Sequence, residues 1–344
     1  MNDDVVQQCL ENIDYFYFSS SKISFYFQEL FILHNLKEIN KLINLSSFDV
    51  HINFHSFIAG NIIQKKMQYP YVFDFCDDMV DYISISPQIP YLLKPIAKKC
   101  LNFLIQKTIK MSDITTYTNL SLKEKYNIPS SKSCLVPNGI EFIRFSNVNQ
   151  NNSLDNRVSS KDFVIGFVGY LGNWIKLEPI IKVIKQLENT IPLKLIIVGD
   201  GPILNNLKNL AKKYQIVDNV IFTGNIPYDQ IPYYISIMDV CLIPFEDSPL
   251  SQNAFPIKLI EYMASGKPVI STPLIGVKNA VDDLIFYASD ENQLKEILSI
   301  LFHDSQLRFR MGYNGKDYVK EKYDWKYICP NFEKNIMNVV NSKK

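Results

Sequence analysis

Short apolar runs alternate with longer segments of helical period along almost the whole chain, which predicts strands separated by helices. In the first half, the runs at 14–18 (DYFYF), 49–54 (DVHINF), 71–75 (YVFDF), 114–117 (ITTY) and 134–136 (CLV) read as strands. Helical periods fall between them, at 25–45, after Ser56 through Lys66, and at 90–111. The stretch 147–160, NVNQNNSLDNRVSS, has no hydrophobic period and is rich in Asn and Ser, so it reads as a linker. The alternation then restarts, with strands at 163–168 (FVIGFV), 194–198 (KLIIV), 220–223 and 240–243. Helices are expected at 177–188, up to Tyr214 and at 228–236, and the tail from Glu291 is helical, its last helix starting near Pro330. Strands spaced by helices of this length imply parallel βαβ units. Near-continuous apolar strands imply sheets covered on both faces. The fold class is therefore α/β, with a first domain at 1–150, a second at 151–329, and a terminal helix at 330–344 that could pack back on the first.

The stretch 253–272, NAFPIKLIEYMASGKPVIST, reads as loop, helix, tight stop and buried strand. Pro256 suits a first helical turn, where a missing N–H costs nothing. Ile257, Ile260 and Met263/Ala264 give one apolar stripe. Gly266 most easily takes a left-handed cap conformation, and Val269-Ile270 open the strand. Lys258 and Glu261 lie three apart and share a helix face near its N-terminus. Partial positive charge and free N–H groups collect there. A lysine at that place suits a phosphate, and a carboxylate one turn further in can accept from a sugar diol. Together they suggest a nucleotide-diphosphate pocket. The same spacing fits a solvated ion pair on an amphipathic helix, and spacing by itself does not choose.

The chain has 344 residues, 47% of them hydrophobic, enough for two cores. With 36 basic and 35 acidic residues the net charge is +1, which argues against nucleic-acid binding. Six cysteines, at 9, 76, 100, 134, 241 and 329, form no C-x-x-C pair. They read as reduced, mostly buried thiols of a cytoplasmic protein, not as a disulfide frame or a zinc site. The N-terminal MNDDVVQQCLENID lacks the pattern of a signal peptide, and no run of 18 apolar residues predicts a membrane span. The 90–111 helix carries Lys94, Lys98, Lys99, Lys107 and Lys110 beside Leu92, Leu93, Ile96, Phe103 and Leu104. Such a helix could rest on an anionic membrane, here at the inner face. More often such a helix packs its apolar side inward and solvates its lysines.

Glycines follow several strand ends, where a doubly wound sheet places its ligand. The ordered set GFVGYLG, IIVGDGP, IFTGNIP, CLIPF and PIKLIEYMASGKPVI resembles the family-4 glycosyltransferases, which have the GT-B fold. DVHINFHSFIAG, YVFDFCDD and SDITTYTN with CLVPNGI also look like family segments. The resemblance covers roughly residues 45–340 and is strongest over 163–272. It implies two Rossmann-like, doubly wound domains facing a cleft, with the nucleotide-sugar mainly on the second and the acceptor mainly on the first. It implies sugar transfer from a nucleotide-diphosphate-sugar to a hydroxyl of a glycan or a lipid-linked saccharide. Anomeric configuration would be retained, with no metal and no cofactor beyond the substrate. By the resemblance Lys258 contacts the donor diphosphate and Glu261 the ribose. Gly172 offers a backbone N–H to a phosphate, and His55 faces the reacting sugar as the catalytic residue. Asp77 and Gly201 stand at cleft-facing strand ends.

Three departures shape the expectation. Asn253 stands where the family has the first Glu of an E-x7-E motif, so the donor sugar would be met by an uncharged amide. Tyr170 stands where the family often has Arg. The chain also opens at what looks like a later strand, so a βα unit or more, including a Gly-rich loop, looks missing: either the first domain is trimmed, or the start is truncated, or 14–21 replaces the lost strand. If the chain is complete, Ser19 to Lys22 is the nearest substitute for that loop, and weak or absent transfer is expected. The alternative reading is a nucleotide-sugar-binding or partner protein of the same fold, without turnover.

Overall fold

The computed structural model describes residues 48–86, 88–148 and 157–343. The strand expected at 14–18, the loop at 19–22, the helix at 25–45, Cys9 and the middle of the linker lie outside the described residues. The chain forms two compact units. The first takes the described residues up to 117, then Lys123–Leu135 and the chain from Phe332. The second takes Thr118–Leu122 and Val136–Asn331. After the short piece at Thr118–Leu122, the main run of the second unit begins at Val136, ahead of the boundary expected at 150. The cause is apolar: Ile140, Phe142 and Phe145 are buried in the second unit's core.

The first unit's described elements are β1 (His51–Phe54), α1 (Ala59–Met67), β2 (Tyr71–Phe75), α2 (Met79–Ile85), α3 (Lys94–Met111), β3 (Ile114–Tyr117) and β4 (Ser133–Leu135), with helix α4 (Leu120–Lys125) before β4. The four strands are parallel, in the order β1-β2-β3-β4. Tyr71, Val72, Phe73 and Phe75 are buried, as a strand covered on both faces requires. α3 begins at Lys94, after a 3₁₀ turn over Tyr91–Leu93, and not at Pro90. Its buried positions are Ile105, Thr108 and Ile109. Tyr91 (84% exposed), Leu92, Leu93, Ile96 and Phe103 (67% exposed) face solvent.

The second unit continues with α5 (Phe142–Ser146), β5 (Phe163–Val168), α6 (Glu178–Leu187), β6 (Leu193–Val198), α7 (Leu204–Lys213), β7 (Val220–Gly224), α8 (Ile231–Ser236), β8 (Val240–Ile243), α9 (Pro249–Gln252) and α10 (Ile257–Ala264). It ends with β9 (Val269–Ser271), α11 (Ile275–Val281), β10 (Phe286–Tyr287), α12 (Glu291–His303), α13 (Ser305–Lys322) and α14 (Trp325–Lys343), whose last turns belong to the first unit. The sheet is parallel with the order β10-β9-β8-β5-β6-β7. Strand order therefore reverses between β5 and β8. At such a reversal the helices that follow the two strands pack on opposite faces of the sheet, which opens a crevice at the strands' carboxyl ends.

Several elements differ from expectation. α14 starts at Trp325, and Pro330 lies inside it. Asp324 Oδ1 accepts from the Lys326 N–H (3.1 Å) and fixes that earlier start. Pro256 is the residue before α10, in extended conformation, and not in its first turn. α10 is also buried on more than one stripe: Leu259, Ile260, Glu261, Tyr262, Met263 and Ala264 are all covered, whereas Ile257 is 46% exposed. The reason is packing on two sides, against the sheet through β9 and against α5 and α13. Gly266 does take the left-handed region (φ +69°). Its N–H reaches the Met263 carbonyl (2.9 Å) and the Lys267 N–H reaches that of Tyr262 (3.1 Å), which closes the helix. Among the described cysteines, Cys134 and Cys241 are buried but Cys100 and Cys329 are exposed, so the thiols are not mostly buried. Cys100 and Cys329 sit on solvent faces of α3 and α14. Among the described residues no helix is long and apolar enough to cross a membrane, and no cluster of three or more His, Cys, Asp or Glu could hold a metal.

α13 meets the end of α10 through Gly312, where an added Cβ would lie 2.0 Å from the Gly266 carbonyl oxygen. Gly312→Ala is expected to push the two helices apart and to destabilise the chain by about 1–3 kcal/mol, read as a lower urea midpoint. An unchanged midpoint would show that the contact relaxes freely.

Candidate functional site

The crevice between β5 and β8 is built from backbone. The Gly169 N–H donates to the Val198 carbonyl (2.8 Å), and the Gly199 N–H to that of Gly224 (2.9 Å). Gly169 and Gly199 have φ of +138° and +134°, a region favouring glycine. A Cβ on Gly199 would meet the Gly169 oxygen at 2.0 Å, so the strand-end loops can approach this closely only without side chains. The loop after β5 is also tied to the loop after β8. Ile175 bridges to Phe245, the Lys176 N–H donates to the Pro244 carbonyl (2.7 Å), and the Glu246 N–H to that of Trp174 (2.7 Å).

Lys258 projects into this crevice from the first turn of α10, which has no side-chain cap. Its Nζ lies 4.2 Å from the Phe167 ring centre and 5.5 Å from that of Phe245. It sits so close to Gly169 that a Cβ there would come within 2.4 Å. Among the described residues no carboxylate pairs with Nζ. Desolvation pushes its pKa down to about 8, against the opposing pull of Glu261. An ammonium held by ring faces and a helix N-terminus, without a counter-charge in contact, can take an anion.

Glu261 is 6% exposed. Its Oε1 accepts from the Tyr228 hydroxyl (2.8 Å). Burial raises its carboxyl pKa, and Tyr228, Lys258 and Arg144 each oppose the rise. The Arg144 guanidinium stacks 4.5 Å over the Tyr228 ring, and Phe145 meets that ring edge-on at 6.2 Å. Lys258 and Glu261 form no ion pair, so they are not the solvated pair that spacing allowed. Sequence reasoning missed Tyr228 and Arg144. The only signal for Tyr228 was its place just after IFTGNIP, in the loop that leaves β7. Arg144 had none.

The remaining expected residues fall in separate places. Gly172 lies under the Trp174 ring, where a Cβ would come within 2.6 Å, and no described acceptor takes its N–H. The Gly201 N–H is already bonded to Asp200 Oδ1 (2.6 Å), which removes it as a free donor. Asn253 caps the end of α9, and its backbone carbonyl accepts from Asn119 Nδ2 (3.2 Å). Its half-buried side chain has no described partner. In the first unit, His55 and Asp77 stand at the carboxyl ends of neighbouring strands β1 and β2. His55 Nε2 accepts from the backbone N–H groups of Cys76 (3.2 Å) and Asp77 (3.4 Å). Burial lowers the His55 pKa, with Asp77 and Asp74 opposing. The neutral ring therefore carries its proton on Nδ1. The Asp77 side chain is exposed.

Two parallel Rossmann-like sheets, with a cationic crevice at the switch point of the second, define a protein of the GT-B class. Residues 148–318 match the sequence profile of the family described as Glycosyl transferases group 1. The chain is 23% identical over 252 residues to an uncharacterized glycosyltransferase of Methanocaldococcus jannaschii, covering 72% of this chain and 58% of that protein. It is 26% identical over 265 residues to an alpha-monoglucosyldiacylglycerol synthase of Streptococcus pneumoniae, covering 73% of this chain and 57% of that one. It thus spans less than two thirds of the length of either relative. Among solved structures, the Anabaena protein HepE in complex with UDP superposes with a TM-score of 0.72 at 16% identity, covering 88% of this chain and 81% of that one. That likeness concerns the fold.

The lowered pKa of Lys258 has a sign that can be checked. The folded ammonium titrates near pH 8, whereas the unfolded one titrates near its usual 10.5. Below pH 8 both states carry the charge, and the folded state bears the full cost of burying it. Between pH 8 and 10.5 the unfolded state binds more protons, so the cost is relieved as pH rises. Lys258→Met should therefore melt higher than the wild type near neutral pH, and its advantage should shrink as pH is raised past 8. A pH-independent difference in melting temperature would overturn the titration.

Proposed function

We propose that the chain is a glycosyltransferase moving a sugar from a nucleoside-diphosphate-sugar to a hydroxyl acceptor, a glycan or a lipid-linked saccharide, with retention of configuration. The observation that carries the reading is Lys258: an ammonium that no carboxylate among the described residues pairs, at the N-terminus of α10 in the switch-point crevice, with a buried carboxylate one turn further in. The match of 148–318 to the profile of Glycosyl transferases group 1 supports it.

In this reading the second unit takes the donor and the first, with the chain from Phe332, takes the acceptor side. Charge that builds on the leaving diphosphate is met by Lys258 and the free N–H groups of α10, with the Gly172 N–H as a further donor. Glu261 accepts from the ribose diol. Asn253 meets the sugar through an amide in place of a carboxylate. His55, kept neutral by burial, donates from Nδ1 to orient or polarise the sugar, and Asp77 lines the same strand ends. Attack from the leaving-group face demands no separate base and no metal.

A lipid-linked acceptor would bring the chain to a membrane. We infer that the exposed face of Tyr91, Leu92, Leu93, Ile96 and Phe103, flanked by Lys98, Lys99 and Lys107, rests on anionic lipid at the cytoplasmic face. The name of the Streptococcus pneumoniae relative, a diacylglycerol glycolipid synthase, is in keeping with it. A binding protein without turnover is the second reading, and the uncharged Asn253 is the observation that favours it.

The decisive experiment pairs a thermal-shift screen of nucleotide-sugars with a radiolabelled transfer assay on the best ligand. Lys258→Ala should lose about 1.5–3 kcal/mol of donor affinity while staying folded. His55→Ala should lose turnover and keep donor affinity. Donor binding without any transfer would favour the second reading, and full affinity in Lys258→Ala would remove the lysine from the site.

The lipid contact is tested by flotation. Leu92→Ser/Phe103→Ser should abolish binding to vesicles containing phosphatidylglycerol, and the wild type should ignore purely zwitterionic ones. Equal flotation of the variant would end the membrane assignment.

A further inference from the structure

We propose that Tyr228 is a positioning residue of the donor site: it holds Glu261 by one carboxylate oxygen so that the other is presented to the ribose diol of a nucleoside diphosphate. This rests on the donor-site reading above and assigns a new part of it.

The geometry points there in three steps. Glu261 is almost completely enclosed, yet among the described residues its carboxylate has one donor, the Tyr228 hydroxyl on Oε1 (2.8 Å). A buried carboxylate has room for about four hydrogen bonds, and leaving that capacity unused is costly. No described donor reaches Oε2, and Oε2 is not among the fully covered side-chain atoms left without a partner, so it remains reachable from solvent. One oxygen is thus committed and the other is open.

The donor is itself fixed independently of any ligand. The Tyr228 ring is stacked by Arg144 at 4.5 Å and met edge-on by Phe145 at 6.2 Å. Arg144 and Phe145 both come from α5. α5 is anchored in turn, because Lys316 Nζ on α13 donates to the Ser146 carbonyl (2.8 Å). The hydroxyl therefore points at Glu261 because of packing on its far side. Pro227, directly before it, holds the extended conformation at the start of the turn.

The charged and titratable groups facing the Glu261 carboxylate are Tyr228 from the loop after β7, Lys258 on its own helix, and Arg144 on α5. Tyr262, buried beside it, is engaged with the backbone of Val168, whose N–H donates to its hydroxyl (2.7 Å). Of these only Tyr228 touches the carboxylate. The two cations act on it through their charge, with no hydrogen bond to it among the described residues, so they favour its charge and leave its direction to the tyrosine.

A purely structural hydrogen bond would predict a different outcome, and the experiment separates the two. Tyr228→Phe keeps the ring, the Arg144 stack and the Phe145 contact, and removes only the hydroxyl. Calorimetry on the full chain compares UDP, GDP and ADP with inorganic pyrophosphate. The nucleotide bound most tightly by the wild type is then followed from about pH 5 to 8 across the carboxylate range. The expected result is about a tenfold loss of nucleotide affinity with pyrophosphate unchanged. The loss of affinity on acidification should also begin at higher pH, because the removed donor favoured the charged carboxylate. In a Glu261→Gln background, Tyr228→Phe should add little and the acid limb should be absent. Equal losses for nucleotide and pyrophosphate, or an unmoved acid limb, would make the bond structural and overturn the proposal. A wild type that binds pyrophosphate but no nucleotide would overturn the ribose role with it. A wild type that binds neither would instead overturn the donor site.

Discussion

The ammonium of Lys258 is the constraint on which the second unit's architecture turns. It lies against two phenylalanine rings and a glycine backbone, at the one place in the sheet where strand order reverses. Such burial is unfavourable for the apoprotein, as the pKa near 8 records. Everything around it keeps it there. Gly169 and Gly199 let the strand-end loops close up, the bridge between Ile175 and Phe245 fixes the wall, and the Gly266 stop with Gly312 pins the far end of α10. A desolvated ammonium with no carboxylate in contact among the described residues is unfavourable where it stands, and a neighbouring anion would relieve that cost.

One turn along the same helix the problem is inverted. Glu261 is a buried carboxyl group that, among the described residues, gains one hydrogen bond and the favourable charge of two cations. The cation and the anion do not neutralise each other. Had they paired, the crevice would be electrostatically complete and chemically idle. Their separation leaves one positive and one negative group available on the same helix face, a pattern that suits a ligand with a phosphate and a diol.

The first unit holds its candidate group by a local device. His55 takes a left-handed backbone (φ +52°) directly after β1, unusual for a residue with a side chain. Asn53 stabilises that turn by accepting from the Ser56 N–H (3.0 Å) and donating to the Ser56 carbonyl (2.8 Å). Gly60 is packed tightly against Asn53. The turn swings the ring back over the end of β2, where two backbone N–H groups fix its tautomer. The backbone conformation is thus coupled to the orientation of the His55 imidazole.

The alternation of apolar strands and amphipathic helices was legible because each strand is covered on both faces, so its hydrophobic run is nearly unbroken. Phe163–Val168, Val240–Ile243 and Tyr71–Phe75 fall where the pattern put them. Lys258, Glu261 and Gly266 were legible because helix spacing and cap chemistry are local properties. Strand order is not local, and nothing in the pattern says that β8 sits beside β5. The reversal at that point, and with it the reason Lys258 faces a crevice, came only from the tertiary structure. The partners of Glu261 were hidden for the same reason, since Tyr228 and Arg144 reach it from distant segments through packing. The helix start at Trp325 was misread because a proline suits a first turn, yet Asp324 offered a cap several residues earlier. Sequence by itself determined which residues could carry charge at a helix start. Only the fold decided that the charge would be buried, with no carboxylate among the described residues in contact with it, at the carboxyl ends of the two strands where the sheet's order reverses.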